Sequence, residues 1–166
     1  MTALQSLGSP PGGSPGGSVS STGRGVAPMA VDLLCEAPER GLLGRVRVSP
    51  SGPDAIHLSN LLVREPFRGR DLGGYLLAES LRLGARWGRP RAWLEADDQG
   101  SGRLLRWYRK LGFHPMGEGP HGRPRLEAHA SRVMPRLRAL LGTRATSPLR
   151  FTFRTVPVPT PVRPTP

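Results

Sequence analysis

The hydrophobic positions change period along the chain, and each change marks an element. In Leu42–Val48 the residues Val46 and Val48 alternate with Arg45 and Arg47, the two-residue period of a half-buried strand. Met29–Cys35 reads as a strand before it, and Ala55–Val63 as a longer strand after the turn Pro50-Ser51-Gly52-Pro53. From Leu72 to Trp87 the period becomes helical, with Leu72, Leu76, Leu77, Leu81 and Ala85 on one face and Gly88-Arg89-Pro90 as the stop. Arg91–Ala96 reads as a strand. Gly102–Leu111 reads as a helix closed by a left-handed Gly112, with Leu104, Leu105, Tyr108 and Leu111 on one side. Two short strands follow, at Phe113–Met116 and Arg125–Ala130.

The order β-β-β-α-β-α-β-β predicts an α/β domain with a mixed sheet. The helix between Val63 and Arg91 should join two parallel strands, since parallel neighbours need such a crossover. This domain is assigned to residues 29–130. Residues 131–142 form a candidate C-terminal helix in which Pro135 must lie in the first turn or break it. Residues 143–166 read as a Pro-rich extended tail. Residues 1–28 hold 7 Gly, 4 Pro and 6 Ser without apolar periodicity, so a disordered tail is expected there. That stretch has no Asp or Glu, so an organelle transit peptide and a start at Met29 are its other readings.

Composition narrows the function. The 166 residues carry a formal charge of +12, from 23 Arg and one Lys against 12 acids. Such a balance attracts polyanions, whether nucleic acid or a nucleotide cosubstrate. The arginines are scattered from Arg24 to Arg163 without a run, which disfavours a nucleic-acid-binding tract. No apolar run nears the ~20 residues of a membrane span. Cys35 is the single cysteine, which excludes an internal disulfide or a Cys-based zinc site and fits a cytoplasmic location. No metal site is expected.

The most informative stretch is Leu61-Leu62-Val63-Arg64-Glu65-Pro66-Phe67-Arg68-Gly69-Arg70-Asp71-Leu72-Gly73-Gly74: a strand, a turn rich in Gly and Arg, then a helix. Free amides and the dipole at a helix start suit an anion. The Gly-Lys-Ser/Thr ending of a P-loop is missing, and the glycine spacing is not that of the dinucleotide fingerprint.

Arg68-Gly69-Arg70-Asp71-Leu72-Gly73-Gly74-Tyr75-Leu76-Leu77 resembles the acetyl-CoA loop of the Gcn5-related N-acetyltransferase (GNAT) family. Leu61-Leu62-Val63 is similar to the splayed strand that holds the pantetheine arm in that family. Leu105-Arg106-Trp107-Tyr108-Arg109-Lys110-Leu111-Gly112-Phe113 is similar to the family's Leu-Tyr-x-Lys-Leu-Gly-Phe helix end. The resemblance covers roughly residues 30–129. It implies a GNAT-like mixed sheet flanked by helices, and transfer of an acetyl group from acetyl-CoA to a small amine or a protein. The cosubstrate-binding set it implies is Leu61, Leu62, Val63, Arg68, Gly69, Arg70, Asp71, Leu72, Gly73, Gly74 and Ser101. Tyr108 would be the general acid. His57 matches the first histidine of a His-x-His pair in the serotonin N-acetyltransferase branch and is the candidate base, with Glu95, Asp97 and Asp98 as rivals.

Three departures stand out. Asp71 occupies a position usually held by glycine; its bland role is a helix N-cap. Ser101-Gly102 stands where many relatives have Asn, and Ser101 can cap the second helix. The helices that usually precede the second strand are replaced by the Gly/Pro/Ser segment, so the acceptor groove must be built differently or completed by a partner subunit, in the simplest case a homodimer. A CoA-binding protein without turnover and an arginine-rich nucleic-acid binder are the competing functions.

Overall fold

The computed structural model describes residues 29–97, 100–142 and 150–159. The expected tail 1–28, most of the C-terminal Pro-rich segment and Asp98 lie outside the described residues. Seven strands and three helices run in the order β1 (Val31–Ala37), β2 (Gly41–Ser51), β3 (Ala55–Val63), α1 (Leu72–Arg86), β4 (Arg91–Glu95), α2 (Arg103–Leu111), β5 (His114–Glu118), β6 (Pro124–His129), α3 (Ala130–Gly142) and β7 (Thr152–Pro157). They form one mixed sheet in the order β5-β6-β4-β3-β2-β1-β7. Only β3 and β4 are parallel, joined by α1 as the crossover requires.

Strand alternation sorts the sheet into two unlike faces. Leu33, Val46, Val48, Ile56, Leu58, Ala92, Leu94, Leu126 and Ala128 are buried and form a single core with Leu72, Leu76, Leu77 and Leu81 of α1 and Val133 and Leu137 of α3. Helix α3 packs on both α1 and α2. The other face is polar and half-exposed. Arg47 binds Asp32 through two bonds of 2.8 and 3.0 Å, and Arg154 binds Glu36 at 2.9 and 3.1 Å. Arg91 bridges Asp54 and Glu127 at 3.3 and 3.0 Å.

Two expectations about the C-terminal part change. Residues 152–157, read as tail, pair with β1 as an antiparallel edge strand. Phe151 and Phe153 recur at a two-residue apolar period: Phe151 packs edge-on against Tyr75 of α1 at 5.1 Å between ring centroids, and Phe153 against Phe151 at 5.6 Å. The six prolines drew attention away from that short apolar period. Pro135 neither breaks α3 nor sits in its first turn; it is the sixth residue. It lies on the solvent side, where water can serve the carbonyl its missing N–H leaves over.

Helix α1 lies close on β3 because Gly84 has no side chain. A Cβ there would stand 2.8 Å from Ile56 Cδ1 and 2.9 Å from the Arg89 carbonyl oxygen. Gly84→Ala should therefore lower stability by about 1–3 kcal/mol. Urea unfolding should show a lower midpoint with an unchanged slope; an unchanged midpoint would mean the helix shifts freely.

Candidate active site

The site begins where β3 and β4 stop pairing. Their register runs only from Ala55 opposite Arg91 to Leu58 opposite Leu94. Strand β4 ends at Glu95, and the next amide, of Ala96, turns away to the Pro124 carbonyl at 2.9 Å. Strand β3 continues for five residues with one edge released from β4.

A bulge accompanies the parting. Arg45 faces Leu62 but Arg47 faces Ser59, so β3 gains one residue over β2 between these pairs. The extra residue falls at Asn60, whose φ is +54°, a left-handed value that Asn tolerates better than most side chains. Strict alternation along β3 would put His57, Ser59, Leu61 and Val63 on one face, and the bulge prevents this. The bulge switches parity: a Cβ on Gly73 of α1 would lie 3.8 Å from Leu61 and 3.9 Å from Val63, on the helix side. His57 and Ser59 stay on the polar face, opposite the buried Ile56 and Leu58.

The gap between the strands is a cleft of about 230 Å³, lined by Leu58, Ser59, Asn60, Leu61, Leu94, Glu95, Asp97, Leu104, Tyr108 and Arg123. Tyr108 enters it from α2. Its ring is 3% exposed and packs edge-on against Trp107 and Phe113 at 4.9 and 5.4 Å. Burial pushes the phenol well above its ordinary range, so it stays protonated through neutral and moderately alkaline pH.

Next along the same band lies a groove of about 220 Å³, lined by Val63, Phe67, Arg68, Gly69, Asp71, Leu72, Gly73, Gly74 and Trp107. Its floor is the turn between β3 and α1. A 3-10 turn, Glu65–Phe67, buries Phe67, and Arg68 Nε donates to the Val63 carbonyl at 3.2 Å. Gly69 has φ +75°. The first α1 bonds run from the Gly74 and Tyr75 amides to the Asp71 carbonyl, so the Leu72 and Gly73 amides precede the hydrogen-bonded ladder. Asp71 stands at the N-cap position but in the left-handed region, φ +58°, and makes no side-chain cap bond. The expected capping role is thus corrected: the backbone there takes the shape that a glycine takes without strain. A third, shallower depression continues the band along Ser101, Arg103, Leu104 and Trp107. Ser101 Oγ accepts the Arg103 amide at 3.3 Å, so it does cap α2.

The sequence-named residues therefore fall in one band, with three exceptions: Arg70, in the turn itself, lines none of the described cavities, and Leu62 and His57 lie elsewhere. Leu62 is 47% exposed on the outer side of β3 and lines none of the described cavities. His57 is absent from the lining of the Tyr108 cleft. It stacks on Trp93 at 3.7 Å with planes 9° apart, while the Arg125 guanidinium sits 4.6 Å over the Trp93 ring. Burial holds its pKa below the ordinary histidine value, only partly opposed by the Glu95 carboxylate.

Two of the rival acids line the cleft: Asp97, paired with Arg123 at 3.0 Å, and Glu95. The Glu95 carboxylate accepts the His121 backbone amide at 3.0 Å and pairs with His121 Nδ1 at 2.5 Å. The β5–β6 turn is folded onto it so tightly that the carboxylate fills the place of a Cβ on Gly119. The His121 backbone bond is the largest cause holding Glu95 below the usual carboxylate range. Sequence reading had Glu95 only as a rival base. It missed Asn60, Trp107, Arg123 and His121; the signal for Asn60 was a single Asn in an otherwise apolar strand end. Among the described residues no cluster of His, Cys, Asp or Glu could hold a metal ion, and no helix is long and apolar enough to cross a membrane.

Residues 22–113 match the acetyltransferase (GNAT) family, over half of the chain. This chain belongs to the GNAT family. It is accordingly an acyltransferase, of the N-acyl-transferring kind. Its fold is similar to that of a GNAT-family acetyltransferase from Staphylococcus aureus Mu50: 13% identity, 60% of this chain and 68% of that one, TM-score 0.52. It is also similar to an acetyltransferase from Bacillus cereus ATCC 14579: 23% identity, 62% and 75% coverage, TM-score 0.51. No curated protein matches the chain. In this GNAT chain the parted strands, the Arg-Gly turn and the α2 tyrosine thus lie on one continuous surface.

His57 gives the site an acid-sensitive element. Its neutral form is favoured by the fold, so the unfolded chain binds the proton first as pH falls below the ordinary value of 6.5. Stability should decline from pH 7 to 5, and less steeply in His57→Phe, which keeps a ring on Trp93. Equal slopes in chemical unfolding across that window would show that the imidazole is not desolvated.

Proposed function

We propose that this chain transfers an acetyl group from acetyl-CoA to an amine by direct attack, with Tyr108 as general acid. The observation that carries this reading is the opening of β3 from β4 onto the Tyr108 ring, at the end of a band that starts in the Arg68–Gly74 turn. A pyrophosphate fits the turn: the Leu72 and Gly73 amides point out of the first turn, Gly69 adds no bulk, and Arg68 and Arg70 supply charge. A pantetheine arm fits beside Leu61–Val63, whose released backbone edge can bond its amides as a further strand would.

The thioester carbonyl then lies in the cleft beside Tyr108. The amine nitrogen bonds to the carbonyl carbon, the C–S bond breaks, the leaving thiolate takes the phenolic proton, and the proton shed by the new amide nitrogen restores the phenol. The proton of the acceptor ammonium leaves along the polar face. Ser59 is there, and two residues further on lies His57, neutral at pH 7. Glu95, ionised and facing the cleft, anchors a cationic amine; its depressed pKa makes it a better anchor than base. Small amines and a lysine or amino terminus of a protein share that chemistry.

Tyr108→Phe should lower kcat by about 10²–10³ with acetyl-CoA affinity little changed, and no alkaline limb from Tyr108 should appear below about pH 10. Thiol release across a panel of amines reads both. Full activity in the phenylalanine variant would remove Tyr108 from the acid role.

A second reading, a CoA-binding protein without turnover, is favoured by Asp71, whose carboxylate stands where the pyrophosphate would lie. Asp71→Gly should tighten acetyl-CoA binding about three- to tenfold by removing that charge and by letting the backbone approach the pyrophosphate more closely. Asp71→Asn should recover the part due to charge. Calorimetric titration checks both; weaker binding by the glycine variant would show that Asp71 shapes the loop to advantage.

A further inference from the structure

The arginines that are scattered in sequence are segregated in space. The acids pair on the polar sheet face, on α1 and around the cleft: Arg47 with Asp32, Arg82 and Arg86 with Glu79, Arg91 and Arg125 with Glu127, Arg123 with Asp97, Arg154 with Glu36. Helices α2 and α3 contain no acid at all. Their solvent sides carry Arg109, Lys110, Arg132 and Arg136, each exposed, and among the described residues none of the four makes an ion pair. The two helices join this charge into one field: the Arg136 guanidinium occupies the space of a Cβ on Gly112, the cap that ends α2, and Arg132 Cγ would lie 3.1 Å from it. The patch continues at its α2 start into Arg103 and Arg106, toward the acetyl-CoA band.

The geometry points to this α2–α3 face as a docking surface for the phosphate backbone of a double-stranded nucleic acid. Charge complementarity selects a polyanion, and three of the four cations are guanidiniums, which fork onto phosphate oxygens. The rest of the face selects among polyanions. An acidic protein partner would want apolar or aromatic anchors at the centre of the contact. Here the exposed neutral positions of α3 are Ser131, Pro135, Ala139 and Gly142, and of the exposed large hydrophobics only Met116 borders the face, in a depression shared with Ser131 and Arg132 at the first turn of α3. A single strand would want rings on which to stack, and the face has none exposed. It has no exposed Asn or Gln to read base edges, so the contact is with the backbone and without sequence preference. This inference is independent of the transfer chemistry.

The test is fluorescence anisotropy of the full chain with labelled 20-base-pair RNA and DNA duplexes over a series of salt concentrations. Four phosphate contacts should give log Kd a dependence on log salt of about 3 to 4. Arg132→Gln/Arg136→Gln should lower that slope by about 2 and weaken binding on the order of tenfold at 0.1 M salt. Its melting temperature and its thermal response to acetyl-CoA should match the parent chain, which separates lost docking from lost folding or lost cosubstrate binding. RNA and DNA arms distinguish which duplex is taken. The proposal is overturned by no duplex binding at 50 mM salt, or by a slope unchanged in the double variant. Tighter binding to single strands, to polyglutamate or to phosphatidylserine vesicles than to either duplex would overturn it equally.

Discussion

The structure turns on one failure of pairing. A sheet gains stability by satisfying every strand edge, yet β4 stops after Glu95 while β3 runs on to Val63. The left-handed Asn60 and the bulge against β2 make the parting a built feature, because β3 keeps its bonds to β2 on one side while giving up β4 on the other. An exposed edge is normally a liability. Here it is narrow and short, and Tyr108 and Leu104 of α2 close its floor.

The two faces of the sheet answer different needs. The helix side is a continuous apolar core that fixes α1 and α2, hence the Arg-Gly turn and Tyr108, against the strands. The polar side is knitted by ion pairs between neighbouring strands and by the stack of His57, Trp93 and Arg125. Glu95 belongs to this side at the point where the cleft opens, so in the proposed reaction an acceptor would approach from the polar face, and the thioester would lie along the band by the helix starts.

Much of this was legible in the chain because local signals were strong and agreed. The β3 limits, the α1 stop at Gly88 and the Gly112 cap follow from apolar period and glycine placement. The turn Arg68–Gly74 and the helix end at Tyr108 were recognisable together although each alone is weak. What escaped reading was non-local. The parity switch at Asn60 depends on register against β2, which alternation within β3 does not reveal. The hold of His121 on Glu95 spans 26 residues and exists only once the β5–β6 turn folds over. Proline count hid β7, since an edge strand needs only one bonded side and tolerates Pro157 at its end. Asp71 looked like an ordinary cap because its left-handed backbone is not visible in residue type.

The pairing of β7 with β1 has a mechanical consequence. The Val158 amide bonds the Ala30 carbonyl at 2.9 Å, so the described chain enters and leaves at one corner of the sheet. Three strands, β1, β2 and β3, stand between that corner and the cleft. The first and last described residues thus meet at the edge of the sheet, on the far side of β2 and β3 from the mouth beside Tyr108.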